Sequence, residues 1–215
     1  MEKSIETTLK NLEKNGMNAI FVEKAADIKQ IFKELIPEGA TVGAGGSVTL
    51  AQCGVTDMLK KGNYNYLDRD KAKTPEQSTE ILKKSLTADF FVMSSNAVTE
   101  KGELYNVDGR GNRVAALVFG PQRVIVAVGK NKIVPDVAAA VKRVKQKAAP
   151  ENAARLNRKT PCAENGSCVS LKLNSPDMCD GCLVKDRICS SYLVSGYQMV
   201  QNRITVIICA EDLGY

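Results

Sequence analysis

Apolar residues in the first half of the chain recur with two spacings, one typical of helices and one typical of strands. Residues 17–22 and 40–43 are short apolar runs, typical of buried strands. Between them, apolar residues recur at the intervals of a helix packed on a sheet: Ile28, Ile31, Phe32, Leu35 and Ile36. The pattern therefore predicts strands that alternate with helices.

Capping residues and apolar runs extend this alternation along the chain. Thr74 and Gln77 flank a proline at the first helical position, and together they form a capping box that predicts a helix start. Residues 89–94 are typical of a strand buried on both faces, and residues 124–128 form a strongly β-branched run. We therefore expect a mainly parallel sheet with helices on both faces.

The C-terminal third is predicted to contain one more helix and a terminal hairpin. The helix opens at Asp136 and turns its valines inward. Residues 192–200 and 203–209 are predicted as two strands joined by a tight turn at 201–202, which adds antiparallel strands. The cations of the helix are predicted to form a solvated face near its C-terminus: Lys142, Arg143, Lys145 and Lys147.

The composition excludes several kinds of chemistry. The chain has no histidine, which excludes Ser-His-Asp and Cys-His mechanisms and any metal site that needs imidazole. It also has no tryptophan, and aromatic residues make up only 5%, so few side chains could stack on bases. The net charge of +6 is spread along the chain, so no nucleic-acid partner is predicted.

The apolar runs are too short to predict a membrane span. Each of them, such as the run at 206–210, is far below the roughly 20 residues that a spanning helix needs. The N-terminus leads into a charged amphipathic stretch rather than a secretory signal. We expect a cytoplasmic protein folded as a single α/β domain over residues 1–215, including a cysteine-rich loop at 160–190.

A glycine-rich segment follows the strand predicted at 40–43 and precedes a helix predicted at 48–53. Its glycines let the backbone approach a ligand, and the helix N-terminus would present N–H groups to a phosphate or carboxylate. The alternative is a tight turn between strand and helix. The candidate ligand-binding residues of this segment are Gly43, Gly45, Gly46 and Ser47.

A polar stretch begins where the strand at 89–94 ends. In doubly wound sheets, ligands bind beyond the carboxyl ends of the strands. Arg113 is suited to pair bidentately with an anion. Since there is no histidine, Asp108 or Glu100 is the candidate catalytic acid/base. Ordinary turn hydrogen bonds around the glycines of this stretch are the alternative.

Five of the seven cysteines fall between residues 162 and 189. Cys179 and Cys182 place two thiolates on one turn, with Cys189 after them and Cys162 before. This spacing suits zinc or an iron–sulfur cluster, and without histidine the ligands would be sulfur or carboxylate. Free thiols without a metal, or disulfides, are the alternative.

Three segments resemble the lactate-utilisation (LUD) domain family: the glycine-rich segment, SNAVTEKGELYNVDGRGNRVAALVFGPQRVIVAVGKNKIV at 95–134, and ITVIICAEDLGY at 204–215. The resemblance covers nearly the whole chain. It implies a three-layer α/β/α fold of the NagB/RpiA/CoA-transferase-like kind. Carried over by position, the polar stretch of the family contains Asn96, Thr99, Glu100, Asn106, Asp108, Asn112 and Arg113.

Small standalone members of this family resemble the chain in ending with a cysteine motif. Residues 159–162 and 187–189 match its first and last parts, whereas residues 169–178 look inserted. The insertion leaves Cys168 and Cys179 as alternatives for the second ligand. The candidate metal ligands are therefore Cys162, Cys168, Cys179, Cys182 and Cys189.

The resemblance implies a part in the oxidation of L-lactate to pyruvate, beside iron–sulfur redox proteins. The chain would bind a small anion, either lactate, pyruvate or a phosphate-bearing cofactor, and its cysteine segment would hold an iron–sulfur cluster such as [4Fe–4S]. The first alternative is a non-catalytic subunit whose docking loop is held together by zinc. The second is an enzyme that handles CoA or sugar phosphates, which rests on fold analogy alone.

Overall fold

Residues 1–173 and 177–215 are described by our computed structural model and fold into ten strands and nine α-helices. The strands are β1 (Asn18–Val22), β2 (Thr41–Ala44), β3 (Asn65–Tyr66), β4 (Phe90–Met93), β5 (Ala97–Thr99), β6 (Leu104–Asp108), β7 (Arg123–Gly129), β8 (Ile133–Val134), β9 (Ser191–Ser195) and β10 (Ile204–Cys209). The helices are α1 (Lys3–Lys14), α2 (Ala25–Leu35), α3 (Val48–Gln52), α4 (Val55–Lys61), α5 (Pro75–Lys84), α6 (Asn112–Val118), α7 (Val137–Arg143), α8 (Ala149–Arg155) and α9 (Pro161–Asn165).

Six parallel strands form the main sheet, in the order β1-β10-β7-β4-β2-β3. β10 and β7 are neighbouring interior strands, with Val206 opposite Val126. Every residue of β10 is buried, as its β-branched composition requires of a strand covered on both faces. The predicted mainly parallel sheet is confirmed.

Helices cover both faces of this sheet. On one face, α2 buries Ile28 and Phe32 against the strands. On the other face, α1 buries Ile5 and Leu12. Each such side chain contributes about 1.5–3 kcal/mol when it is fully buried. The three layers confirm the α/β/α arrangement that the family resemblance implies.

Four further strands form a second sheet, in the order β8-β5-β6-β9. β6 pairs antiparallel with both β5 and β9. The predicted terminal hairpin is wrong, because β9 belongs to this second sheet whereas β10 lies parallel between β1 and β7. A strand as apolar as β10 is stabilised by neighbours on both edges and both faces, which a terminal hairpin would not provide.

The helix predicted to open at Asp136 runs through α7, a π-helical segment at Val144–Ala148, and α8. The carboxylate of Asp136 accepts the N–H of Ala139 at 2.8 Å, which confirms the predicted start. A π-turn adds a residue to the helical repeat and rotates the side chains that follow. Lys145 is therefore buried instead of lying on the predicted solvated face, and Arg143, which precedes the π-segment, is half-buried.

Within residues 1–173 and 177–215, no helix is long and apolar enough to cross a membrane.

Candidate functional site

A polar cavity of about 380 Å³ opens at the carboxyl edge of the main sheet. The segments that follow β2, β4 and β7 contribute Ser47, Asn96 and Lys132 to its wall. The turn between β6 and α6 and the end of α8 close the other sides. Because the carboxyl ends of parallel strands meet at one edge, residues distant in sequence converge there.

The glycine-rich segment contributes to this cavity through its second half. Gly46 and Ser47 line it, and the Ser47 hydroxyl also caps α3 by accepting the N–H of Leu50 at 3.2 Å. α3 has only five residues, so it is shorter than the helix predicted at 48–53 by one residue. The glycine-rich segment lies between a strand and a helix, as the sequence predicts.

The first two glycines of the segment serve close packing behind the cavity. A Cβ at Gly43 would lie 2.7 Å from the side chain of Ser85. A Cβ at Gly45 would lie 3.0 Å from Cδ of Arg113, so glycine at this position lets Arg113 pass beneath the segment. The role of these two residues in the structure is therefore to position their neighbours.

Arg113 and Asp108 form the polar floor of the cavity. Nη2 and Nε of Arg113 donate to one carboxylate oxygen of Asp108, at 2.6 and 2.9 Å. The other oxygen accepts the backbone N–H groups of Arg113 and Val114 at the start of α6, both at 3.0 Å. This arrangement makes Asp108 a positioning residue for α6, and its role as a catalytic acid/base remains a prediction.

The guanidinium of Arg113 also ties the polar stretch together. Its Nη atoms donate to the Oδ1 atoms of Asn96 and Asn106 and to the backbone carbonyls of Ser94 and Val107. Each of these hydrogen bonds goes to an oxygen of the protein. The guanidinium of Arg113 therefore orders the loops around the cavity.

The remaining predicted residues of the polar stretch are divided between the cavity and the core. Asn96 and Asn112 line the cavity. Asn106 is buried, with its Nδ2 atom unpartnered among the described residues. Thr99 is also buried and donates to Glu103 at 2.6 Å, and Glu100 follows it at the end of β5. Neither Thr99 nor Glu100 is among the described residues that line the cavity.

Lys132 extends from the turn after β7 into the cavity wall, with only 3% of its surface exposed. Its Nζ atom lies 2.9 Å from Oγ1 of Thr49 and 3.0 Å from Oγ of Ser94. Burial, followed by the nearby cations Arg143 and Arg113, lowers the pKa of Lys132 to about 7. Perturbed titratable groups of this kind concentrate at functional sites, which makes Lys132 a candidate functional residue.

The rest of the cavity wall is strongly basic. Asp108 is the one acidic residue among the described residues that line it, and it is already paired with Arg113. The other cations of the wall make no ion pair in the described part of the chain. They are Arg69, Arg110, Lys132, Arg155 and Arg158. The cavity is therefore suited to an anion.

A second, smaller cavity of about 30 Å³ is enclosed by four cysteines: Cys162, Cys168, Cys182 and Cys189. Burial, followed by the neighbouring thiols of Cys162 and Cys168, raises the pKa of Cys189 to about 11. Cys179 is exposed and does not line this cavity. Of the two alternatives that the sequence left open, the structure therefore groups Cys168 with the other three cysteines.

Two cations lie beside this cysteine cavity. Lys145 is buried and donates to Oγ of Ser170 at 2.8 Å and to the backbone carbonyl of Asp180. Arg187 donates to the backbone carbonyls of three of the cysteines and so holds the loop together: Cys179 at 2.6 Å, Cys182 at 2.9 Å and Cys189 at 2.7 Å.

The four cysteines surround a space instead of meeting at a point. Among the described residues, no group of three or more cysteine and carboxylate side chains is placed to hold a metal ion. Four thiols around one cavity, with two cations alongside, fit the ligand number and negative charge of a thiolate-bound iron–sulfur cluster. Four thiolates are also a common ligand set of a single zinc ion, so the cluster and the zinc alternative both remain predictions.

The two cavities share a wall at Ile188, which lines both. Its backbone lies 3.4 Å from the position that a Cβ on Gly109 would occupy. The N–H of Ser190 donates to the carbonyl of Asp108 at 2.9 Å, which links the cysteine loop to the floor of the polar cavity.

Apart from Arg113, the basic residues of the polar cavity were not singled out in the sequence. Lys132 carried a usable signal, because it closely follows the β-branched strand predicted at 124–128 and so lies at the ligand-binding edge of the sheet. The arginines come from separate turns and helix ends without a common spacing: Arg69, Arg110, Arg155 and Arg158.

Comparison with solved structures shows the same fold in a related protein. A crystal structure of a DUF162 family protein from Deinococcus radiodurans matches with a TM-score of 0.54 and 16% identity, over 96% of each chain. Two other structures match about half of the chain. eIF2B beta from Chaetomium thermophilum matches with a TM-score of 0.36 and 18% identity, over 52% of this chain and 39% of that one. Ribose 5-phosphate isomerase A from Methanocaldococcus jannaschii matches with a TM-score of 0.34 and 13% identity, over 53% and 55%.

Comparison with curated proteins finds no match. The family model of the LUD domain, in contrast, matches residues 5–209, which is nearly the whole chain. This match confirms the resemblance that the sequence motifs indicate. The chain belongs to the LUD domain family.

Proposed function

We propose that the protein binds a small anionic ligand, a carboxylate or a phosphate, in the polar cavity, and that it does so as a component of lactate utilisation. The family is implicated in lactate utilisation. The observation that supports the proposal is the wall around the buried amine of Lys132, where several arginines make no ion pair among the described residues. An anion would supply the negative charge that this wall lacks.

The test is calorimetric titration of the full chain with L-lactate, pyruvate and inorganic phosphate. We expect at least one of them to bind. We expect Lys132→Met to weaken that binding by at least about tenfold, the value of one charge-assisted hydrogen bond. The matched control is Lys130→Met, which removes a cation from the same turn that pairs with Glu2 outside the cavity.

Two results would contradict the proposal: no binding of any of these anions, or equal affinity in Lys132→Met and the wild type. Binding of a sugar phosphate or CoA, with no response to lactate or pyruvate, would favour the alternative of a phosphate-handling enzyme.

A second proposal concerns the cysteine cavity. Cys162, Cys168, Cys182 and Cys189 would hold an iron–sulfur cluster, and Lys145 and Arg187 would offset its negative charge. When bound, such a cluster supplies one-electron transfer, which would connect the protein to redox partners. The chain's own part is to bury the thiols and fix the loop through the contacts of Arg187 with the backbone carbonyls.

Protein purified without oxygen tests this proposal. We expect a visible absorption band, together with iron and acid-labile sulfide, and we expect Cys182→Ser to lose all three. Cys179→Ser is the matched control, because this thiol is exposed outside the cavity. Zinc without iron would instead favour the alternative of a metal-stapled docking loop.

A further inference from the structure

We infer that Lys132 is a nucleophilic amine that forms a Schiff base with the carbonyl group of a small 2-oxo acid. The inference rests on the proposed anion site, and it names the class of ligand and the reacting atom.

The hydrogen bonds around Lys132 leave its amine free to react. Oγ1 of Thr49 is within donating distance of the carbonyl of Leu213 at 3.3 Å, and Oγ of Ser94 is within donating distance of the carbonyl of Ser95 at 3.4 Å. Since each hydroxyl directs its own hydrogen to a carbonyl, each accepts a hydrogen from Nζ of Lys132. A neutral amine that donates both hydrogens keeps its lone pair for an electrophile.

The surroundings also favour the neutral form of the amine. The side chain is buried, no carboxylate among the described residues is paired with it, and the cations that face it are Arg113 and Arg143. Asp108, the acidic residue nearest in the wall, is engaged by Arg113. Amines activated in this way, by desolvation and a neighbouring cation, form Schiff bases with carbonyl substrates.

The arginines define what else the ligand carries. Arg69, Arg110, Arg155 and Arg158 line the same cavity as Lys132 and suit a carboxylate. A molecule with a carboxylate next to a ketone presents one group to the arginines and the other to Lys132. A 2-oxo acid has this structure, whereas a 2-hydroxy acid lacks the carbonyl.

The chemical step balances without an oxidant or reductant. Nζ of Lys132 forms a bond to the carbonyl carbon, and one amine hydrogen moves to the carbonyl oxygen to give a carbinolamine. The hydroxyl then leaves as water with the second amine hydrogen, and a carbon–nitrogen double bond remains. Water entering the open cavity reverses the step.

The test is reductive trapping of the full chain with pyruvate and cyanoborohydride at neutral pH, followed by peptide mass mapping. We expect one reduced pyruvate adduct on the peptide that contains Lys132, and no adduct with L-lactate. Lys132→Arg keeps a nitrogen donor at this position but cannot form an imine, so it should lose the adduct, whereas Lys130→Arg should keep it. The wild-type mapping alone decides the question if Lys132→Arg does not fold.

The trapping result and the calorimetric result separate the inference from the proposed function. Pyruvate that binds by calorimetry but leaves no adduct on Lys132 would overturn the Schiff base and leave the anion site standing. An adduct spread over exposed lysines with none at Lys132 would overturn it as well. Absence of both binding and adduct would overturn the anion site together with the inference.

Discussion

Lys130 and Lys132 lie two residues apart in the turn after β7, and their surroundings give them opposite properties. Lys130 is bound to Glu2 at 2.7 Å, and this hydrogen bond raises its pKa. Lys132 is buried beside cations, and its pKa is lowered to about 7. The difference is one of environment, which the identity of the residue does not reveal.

The lowered pKa makes Lys132 a source of pH-dependent stability. Between about pH 7 and pH 10 the unfolded state holds the proton of this lysine and the folded state does not, so the free energy of unfolding rises with pH, by at most about 1.4 kcal/mol per unit. We expect urea unfolding to show Lys132→Met most stabilised relative to wild type near pH 7, with the difference shrinking toward pH 10. A constant difference across this range, or one that grows, would contradict the burial of a neutral amine.

Arg113 is the residue whose shape matters most for the cavity floor. Lysine would keep its charge but not the fork that joins Asp108, Asn96 and Asn106. We expect Arg113→Lys to lower the free energy of unfolding by about 2–4 kcal/mol, as for a broken buried network, measured by denaturant titration. Arg110→Lys, at an exposed residue of the same turn, should stay within about 0.5 kcal/mol. Equal stability of both variants would show that the fork is not needed.

At the level of elements, the strands and helices that local patterns define were predicted, and their partners were not. The runs at 89–94 and 124–128 became β4 and β7, and the capping residues around Pro75 start α5. The prediction of a terminal hairpin was wrong because strand pairing depends on strands that are distant in sequence. β10 inserts between β1 and β7. The prediction that Lys145 lies on a solvated face was wrong because the π-segment changes the helical repeat locally.

The residues of the candidate site likewise fall into two groups, those that local motifs predict and those that they do not. The predicted residues that line the cavity follow strands in continuous motifs, and they include Gly46, Ser47, Asn96 and Arg113; their role in ligand binding stays a prediction. The sequence did not predict a cavity role for Arg69, Arg155 and Arg158, because only the folded chain brings their separate elements together. The grouping of Cys168 with Cys189, rather than Cys179, likewise depended on the path of the loop.

Residues 177–190 of the cysteine-rich loop form no helix or strand, and Arg187 joins this part of the loop internally. Its guanidinium holds the carbonyls of Cys179, Cys182 and Cys189 together. We expect Arg187→Gln to increase cleavage by thermolysin between residues 177 and 190, by about tenfold for a loss near 1.4 kcal/mol. Lys185→Gln, at an exposed residue of the same loop, serves as the control. Unchanged cleavage of the Arg187 variant, as judged by mass spectrometry of the fragments, would show that the loop is held by other contacts.

At the scale of the whole molecule, the polar cavity and the cysteine cavity are neighbours rather than separate sites. Ile188 lines both, and Ser190 bonds to the carbonyl of Asp108. A loss of structural order in the cysteine-rich loop should therefore disturb the residues that form the floor of the polar cavity.

This contact predicts a coupling between the two sites. Cys182→Ser should lose the iron–sulfur cluster that we propose for the cysteine cavity. We expect this loss to weaken anion binding by about fivefold or more, the lower end of typical coupling energies, in calorimetric titrations without oxygen. Cys179→Ser, whose thiol lies outside the cavity, should bind the anion as the wild type does. If Cys182→Ser lost its metal and kept the wild-type affinity for the anion, the two sites would be independent.

The most direct test of the anion site is an electron-density map of crystals soaked in pyruvate at neutral pH. We expect density for a carboxylate among the arginines of the polar cavity, with the ketone carbon within bonding distance of Nζ of Lys132. Ordered pyruvate at another surface, with only water beside Lys132, would contradict it.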